Sequence, residues 1–298
     1  VNVLAGSNSS DQSNWKSEKH VGLSLESDRN GVTAFLGSEG LKQKSRNAEQ
    51  TVAPSQLLAG QDATIKAGRD LTLEGSRVDA GRDINLQAGR DISIDAGKET
   101  SIEERSKSRD RNGLTVNVSH NYGNTMDALK GTGKGEDNTS KASSVLSTVD
   151  AINQFTSGPT TATHFGTASQ SSSSRQEVHS NSPASLGAGR DISAVAGNDI
   201  NIRGGQFDAG RDITLVGRDI NVDVARGSVS EESKTARSQG GINGQSGGGS
   251  ARAGIGGSNG VASEQMNQGT NTPSVFLAGR DVSLEARNNL TLIGTQVQ

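Results

Sequence analysis

Cysteine is absent from the 298 residues, which excludes disulfide bonds and thiolate metal sites and is compatible with export that needs no oxidative folding. Aromatic residues are almost as scarce: one Trp, one Tyr and five Phe make up 2% of the chain, and hydrophobic residues of every kind only 30%. A globule of this length closes around bulky side chains, because its centre lies far from its surface. So little bulk predicts a narrow core that small aliphatic side chains can fill. Neither charge dominates, with 30 Lys and Arg against 33 Asp and Glu, which removes the electrostatic footprint of a nucleic-acid or anionic-membrane binder. No apolar run approaches the length of a transmembrane helix, and no charged-then-apolar signal segment is visible. The pattern described next is already under way at Val1, which predicts an internal piece of a longer polypeptide.

Glycine, by contrast, is abundant at 39 residues, and it recurs in one unit: AGxD followed by apolar, small polar, apolar. Copies stand at Ala59–Ile65, Ala67–Leu73, Ala80–Leu86, Ala88–Ile94, Ala188–Ala194, Ala196–Ile202, Ala209–Leu215, Val216–Val222 and Ala278–Leu284, with degenerate ones at Ala96–Ile102 and Ala286–Leu292. The starts Ala59, Ala67 and Ala80 have the same two spacings as Ala188, Ala196 and Ala209, so a coil takes about 21 residues. A third short arm is read at Gly75–Asp79, Gly204–Asp208 and Gly294–Gln298, with Val78, Phe207 and Val297 in equivalent places. Three arms per coil predict an all-β fold, a triangular right-handed parallel β-helix.

Period-two alternation points Leu71, Leu73, Ile84, Leu86, Ile92 and Ile94 inward and Thr72, Asn85 and Ser93 outward. One unit cannot bury its apolar face alone, so stability belongs to the stack. At each corner the Gly is expected to supply positive φ and the Asp to accept turn amides. An Arg usually precedes that Asp, as at Arg69, Arg82, Arg90, Arg190, Arg211, Arg218 and Arg280, so the corners form a nearly neutral Arg-Asp ladder.

The sequence divides into ladder rungs at 57–102, 186–227 and 275–298 and excursions at 7–56, 103–185 and 228–274. Each excursion returns through a similar segment, Pro54-Ser55-Gln56-Leu57, Pro183-Ala184-Ser185-Leu186 or Pro273-Ser274-Val275-Phe276. The identical tetrapeptides Asp28-Arg29-Asn30-Gly31 and Asp110-Arg111-Asn112-Gly113 predict two hairpin turns. Val145, Leu146, Val149 and Ile152 predict a short amphipathic helix within 144–155. Ser171–Ser174 and Gly240–Gly260 read as flexible loop.

The AGRDINL, AGRDISI and AGRDITL units carry a resemblance to the haemagglutinin-repeat regions of filamentous haemagglutinins and of contact-dependent growth inhibition exoproteins. That resemblance implies export by the two-partner route through an outer-membrane transporter. It further implies a fibre at the bacterial surface, contact with a target-cell or host surface or a neighbouring membrane, and, in growth-inhibition members, delivery of a C-terminal toxin. A structural adhesin stalk and a toxin-delivery stalk are both consistent with the units.

Enzyme chemistry finds no support. A carbohydrate-cleaving site needs clustered carboxylates on neighbouring coils, whereas the outward positions are Thr, Ser and Asn and the four His (20, 120, 164 and 179) are scattered. Calcium-binding β-rolls need a Gly-Gly-x-Gly-x-Asp run, and this unit puts Arg beside the Asp. No cofactor or metal is expected. The candidate recognition residues lie in the excursions, where irregular or exposed chemistry concentrates: Trp15, Asn30, Asn112, His120 and Tyr122.

Overall fold

The computed structural model describes residues 1–28, 31–119, 159–247 and 249–298. The described residues form strands and turns with no helix, arranged as two parallel sheets and one antiparallel sheet. Short strands stack in three parallel columns. The first runs through Ala63–Ala67, Ile84–Ala88 and Ile192–Ala196, the second through Leu71–Glu74, Ile92–Asp95 and Asp199–Arg203. Both merge in Ile213–Asp223 and Val282–Leu292 into one curled nine-stranded sheet. The third column, from Gln56–Ala59 through Arg77–Ala80 to Thr295–Val297, is a separate six-stranded sheet. This arrangement is compatible with a parallel β-helix.

Pairing follows the repeat. Ala63 lies on Ile84, Leu71 on Ile92, Gln56 on Arg77 and Ile192 on Ile213, always 21 positions on. Like therefore stacks on like: Leu73 on Ile94 and Ile94 on Ile202, Leu57 on Val78, and Phe207 on Phe276 with ring centroids 4.7 Å apart. The inward residues are fully buried, while Thr72, Asn85 and Ser93 keep contact with solvent. The unit read from Val216 is one residue short: Val216 pairs with Val195 and Glu285, Gly217 stands opposite Ala286, and the register shifts between Gly217 and Asp219 to absorb the missing residue.

The corners carry the Arg-Asp ladder. Arg82 makes a two-pronged contact with Asp62 on the tier beside it (3.1 and 2.7 Å), Arg90 does the same to Asp70, and Arg190 reaches Asp83. The amides of Asp83 and Asp191 donate to the neighbouring Asp62 and Asp83, 3.3 Å each. Where Asn198 replaces Arg, its amide still donates to Asp91 at 2.9 Å. The corner glycine has a different role from the one expected. None of Gly81, Gly89, Gly189, Gly197, Gly210 and Gly279 has positive φ. A β-carbon there would fall 2.2–2.3 Å from the carbonyl oxygen of the glycine in the neighbouring tier, so glycine serves close stacking of backbones.

This ladder sets an acid limit. The Arg90 hydrogen bond holds the Asp70 carboxyl below its ordinary range, and Arg218 does the same for Asp219; at Asp83 burial opposes ionisation, but Arg190 outweighs it. Carboxyls depressed in the folded state stabilise it fully above their unfolded values, near 3.9, and lose that contribution as pH falls through the lower folded values. The thermal midpoint is expected to hold from neutral pH down to about 5 and to fall below about 4. A midpoint that rises on acidification would contradict the ladder.

The antiparallel sheet is made of three hairpins: Gly6–Asp28 with Gly31–Ala53, Gly97–Ser119 with Thr160–Ser182, and Ala225–Gly247 with Ser250–Thr272. Every strand has 23 residues, roughly 75 Å at 3.3 Å each. The hairpins pair side by side into six strands. They leave the parallel columns at one corner, at Ala5, Ala96 and Val224, and the tiers between turn this corner at Gly75, Gly204 and Gly294 with φ of 51°, 65° and 57°. Ala5 donates to Glu74, Gly75 to Asp95, Ala96 to Arg203 and Gly204 to Asp223, so hairpin exits and tight turns alternate. Two tiers rise roughly 9.6 Å, and a two-stranded hairpin is roughly 9.6 Å wide. One hairpin every second tier therefore matches the two lattices and lets neighbouring hairpins zip together.

Several expectations change. Asp28 pairs with Gly31 across residues 29–30, as a hairpin requires. Asp110–Gly113, however, lies inside a continuous strand, with Asn112 paired to Ser38 and Thr167. Long partners on both sides satisfy its backbone, so the turn signal is overridden. Ser171–Ser174 is strand as well, and Gly240–Gly260 is strand on both sides of the third hairpin's turn. Ala96–Ile102 is no rung, because Gly97 already begins a hairpin strand. The helix expected within 144–155 lies outside the described residues.

Candidate recognition surface

The six hairpin strands share a register in which each row crosses the sheet, and alternate residues face one side. On the side carrying Trp15, three zones follow one another outward from the columns. The first is an ion-pair network. Arg46 holds Asp11 with two nitrogens (3.1 and 2.8 Å) and approaches Glu104 at 3.8 Å; Arg175 bridges Glu104 (2.5 Å) and Glu177 (2.9 Å), and His179 meets Glu177 at 3.1 Å. Hydrogen bonds from Arg46 and from Arg175 hold the Asp11 and Glu177 carboxyls below their ordinary range. Charges here are spent on one another.

The second zone is not self-satisfied. Its central row reads Trp15, Lys44, Ser106, Ser173, Lys234, Ser263. Trp15 is 75% exposed, and Lys42, Lys44 and Lys234 have no carboxylate partner among the described residues. A shallow groove of about 710 Å³ runs here, lined by Trp15, the three lysines and the hydroxyls of Ser106, Ser108, Ser171 and Ser173. An exposed indole offers a stacking face, the ammonium groups offer uncommitted positive charge, and the serines offer donors and acceptors.

The third zone is apolar. Leu23, Leu36, Leu114, Phe165, Ile242 and Ile255 form one row across all six strands and are 37–86% exposed. The adjoining row, whose residues belong to the opposite face, is all glycine: 22, 37, 113, 166, 241 and 256. A β-carbon on Gly37, Gly113, Gly166 or Gly241 would lie 2.1–2.3 Å from a neighbouring strand's carbonyl oxygen, so the strands approach there as only glycine permits. On that opposite face Phe35 is buried under Arg111, 5.3 Å from its ring centroid. Arg109 and Arg111 both hold Glu39 there; burial resists its charge, but the two arginines outweigh that and keep the carboxyl below its ordinary value.

Of the residues singled out from sequence, Trp15 lies in the groove and Asn112 lies on the same face, six positions or roughly 20 Å farther along the strands. The two do not form one site. Asn30, His120 and Tyr122 lie outside the described residues. Lys42, Lys44 and Lys234 escaped sequence reading because they come from two hairpins, and only the cross-strand register unites them. No cluster of metal-ligating side chains occurs among the described residues. A family model described as hemagglutinin repeat matches residues 1–108, 36–158 and 165–298. A search of curated proteins finds no match.

Proposed function

The chain belongs to the hemagglutinin-repeat family, and from that premise we propose that it is a stalk segment of a secreted bacterial surface exoprotein that makes contact through its hairpin sheet. On this reading the tiers are coils of a right-handed solenoid of about 21 residues each. The 21-residue pairing interval supports the coil length, and the strong right-handed preference of parallel crossover connections supports the hand. Export through a two-partner outer-membrane transporter and display at the cell surface follow from the family resemblance. The stacked core gives rigidity without bulk, and the hairpins present a broad face to one side.

The observation that carries the contact role is the second zone, where an exposed Trp stands beside serine hydroxyls and three lysines that have no carboxylate partner among the described residues. Such a face suits an acidic, hydroxyl-rich surface of the kind a cell envelope displays. The combined change Trp15→Ala, Lys44→Ala and Lys234→Ala is expected to leave the thermal midpoint within a degree or two, since surface changes usually cost under about 0.5 kcal/mol, and to weaken binding to target cells at least tenfold. Undiminished binding by the folded triple variant would remove the contact role from this zone.

A further inference from the structure

The apolar third zone is more than a contact patch of ordinary size, and we propose that it pairs face to face with the same zone of a second copy of this chain. A sheet is normally covered wherever one face is apolar, because layers form by burying such faces against one another. Here the six-residue row, with Val21, Leu25 and Val32 beside it, stays exposed. At roughly 100 Å² per side chain these nine present about 900 Å², close to the per-partner area of a standard interface and above the few hundred Å² a monomer leaves open.

The pattern identifies the occupant. The row contributes one large apolar side chain from every strand, and it runs in the direction in which the tiers stack. Its period is one strand spacing. A second row with the same period can interdigitate along its whole length when two sheets pack about 10 Å apart, and another copy carries such a row by construction. A lipid surface fits less well. Among the described residues the four outermost rows on this face hold no Lys or Arg and Trp15 stands eight positions, roughly 26 Å, from Leu23, whereas an interfacial membrane binder carries basic and aromatic side chains beside its apolar face.

The test is sedimentation equilibrium of the 298-residue chain across the micromolar range. A monomer–dimer equilibrium is expected. Leu36→Ser, Phe165→Ser and Ile242→Ser together should weaken it by about a hundredfold or more, given the transfer free energy of three large side chains. Circular dichroism should stay unchanged, and so should the thermal midpoint at protein concentrations low enough that both chains are monomeric, because these side chains are exposed in the monomer. Gln43→Ser, Lys107→Ser and Thr235→Ser, one row of the opposite face, should leave dimerisation intact. Equal dimerisation by both triple variants overturns the proposal. So does a chain that stays monomeric, and two further measurements then identify what holds the face instead. Dimerisation only after replacement of 120–158 by Asn-Gly gives it to that segment, and co-sedimentation with neutral phosphatidylcholine vesicles gives it to lipid.

Discussion

Leu86→Asp or Ile202→Asp is expected to unfold the parallel columns around the substituted tier, while Thr72→Asp leaves them standing. Leu86 and Ile202 are fully buried, stacked between Ile65 and Ala194 and between Ile94 and Val222. The buried cluster around them is aliphatic with two phenylalanines, and it offers a carboxylate no donor. An unpaired buried charge costs several kcal/mol or forces protonation, a large share of the roughly 5–15 kcal/mol that holds a typical domain together. Stacked repeats add a second penalty, because each tier is stabilised by its neighbours and a failed tier removes an interface on both sides. Thr72 lies between Asn2 and Ser93 with access to solvent, so a charge there stays hydrated and should cost well under about 1 kcal/mol. Denaturant unfolding of the three variants checks this. Equal destabilisation would mean that the inward and outward faces are assigned the wrong way round.

The parallel columns were legible in the sequence because their determinants are local. Alternation at Leu71–Leu73 or Ile92–Ile94 fixes a face, and the spacing of AGRD units fixes which tier lies on which. What the local pattern could not distinguish was the reason for a residue. Corner glycine is compatible with positive φ and with close backbone approach, and only the 2.2–2.3 Å distance to the neighbouring carbonyl decides between them. Ala96–Ile102 has the composition of a rung, but the next residue after Ala96 enters a hairpin; composition does not encode where the chain leaves the stack.

The hairpin sheet was scarcely legible, for a related reason. Runs such as Ser171–Ser174 or Gly240–Gly260 have low intrinsic strand preference, and read alone they are loops. Pairing makes them strands: six 23-residue segments satisfy one another's backbone groups, and the match between two tiers and one hairpin holds them in place. The glycine row and the apolar row beside it appear only when Gly22, Gly37, Gly113, Gly166, Gly241 and Gly256 are aligned across three hairpins. Trp15 was conspicuous as the sole tryptophan, whereas its lysine partners become distinctive only in that alignment.

If the parallel columns are the scaffold and the hairpins the contact surface, as proposed, removing the hairpins has a large and selective effect. Removing residues 6–54, 97–183 and 225–273 joins Ala5 to Ser55, Ala96 to Ala184 and Val224 to Ser274, the connection that Gly75–Ser76 and Gly204–Gly205 already make in the tiers between. Glycine should replace Ala5, Ala96 and Val224 in the shortened chain, because the tight turn needs positive φ. The core residues all remain except Phe35 and Ala225, which belong to the hairpins, and Ala96, which gives way to glycine. The most direct measurement is cell binding by this shortened chain alongside its circular dichroism and unfolding transition. A strand-rich, cooperatively unfolding protein is expected, with binding to target cells reduced at least tenfold. A shortened chain that folds and binds as well as the full one would contradict that expectation, and would make the hairpins bystanders and the coils the contact surface.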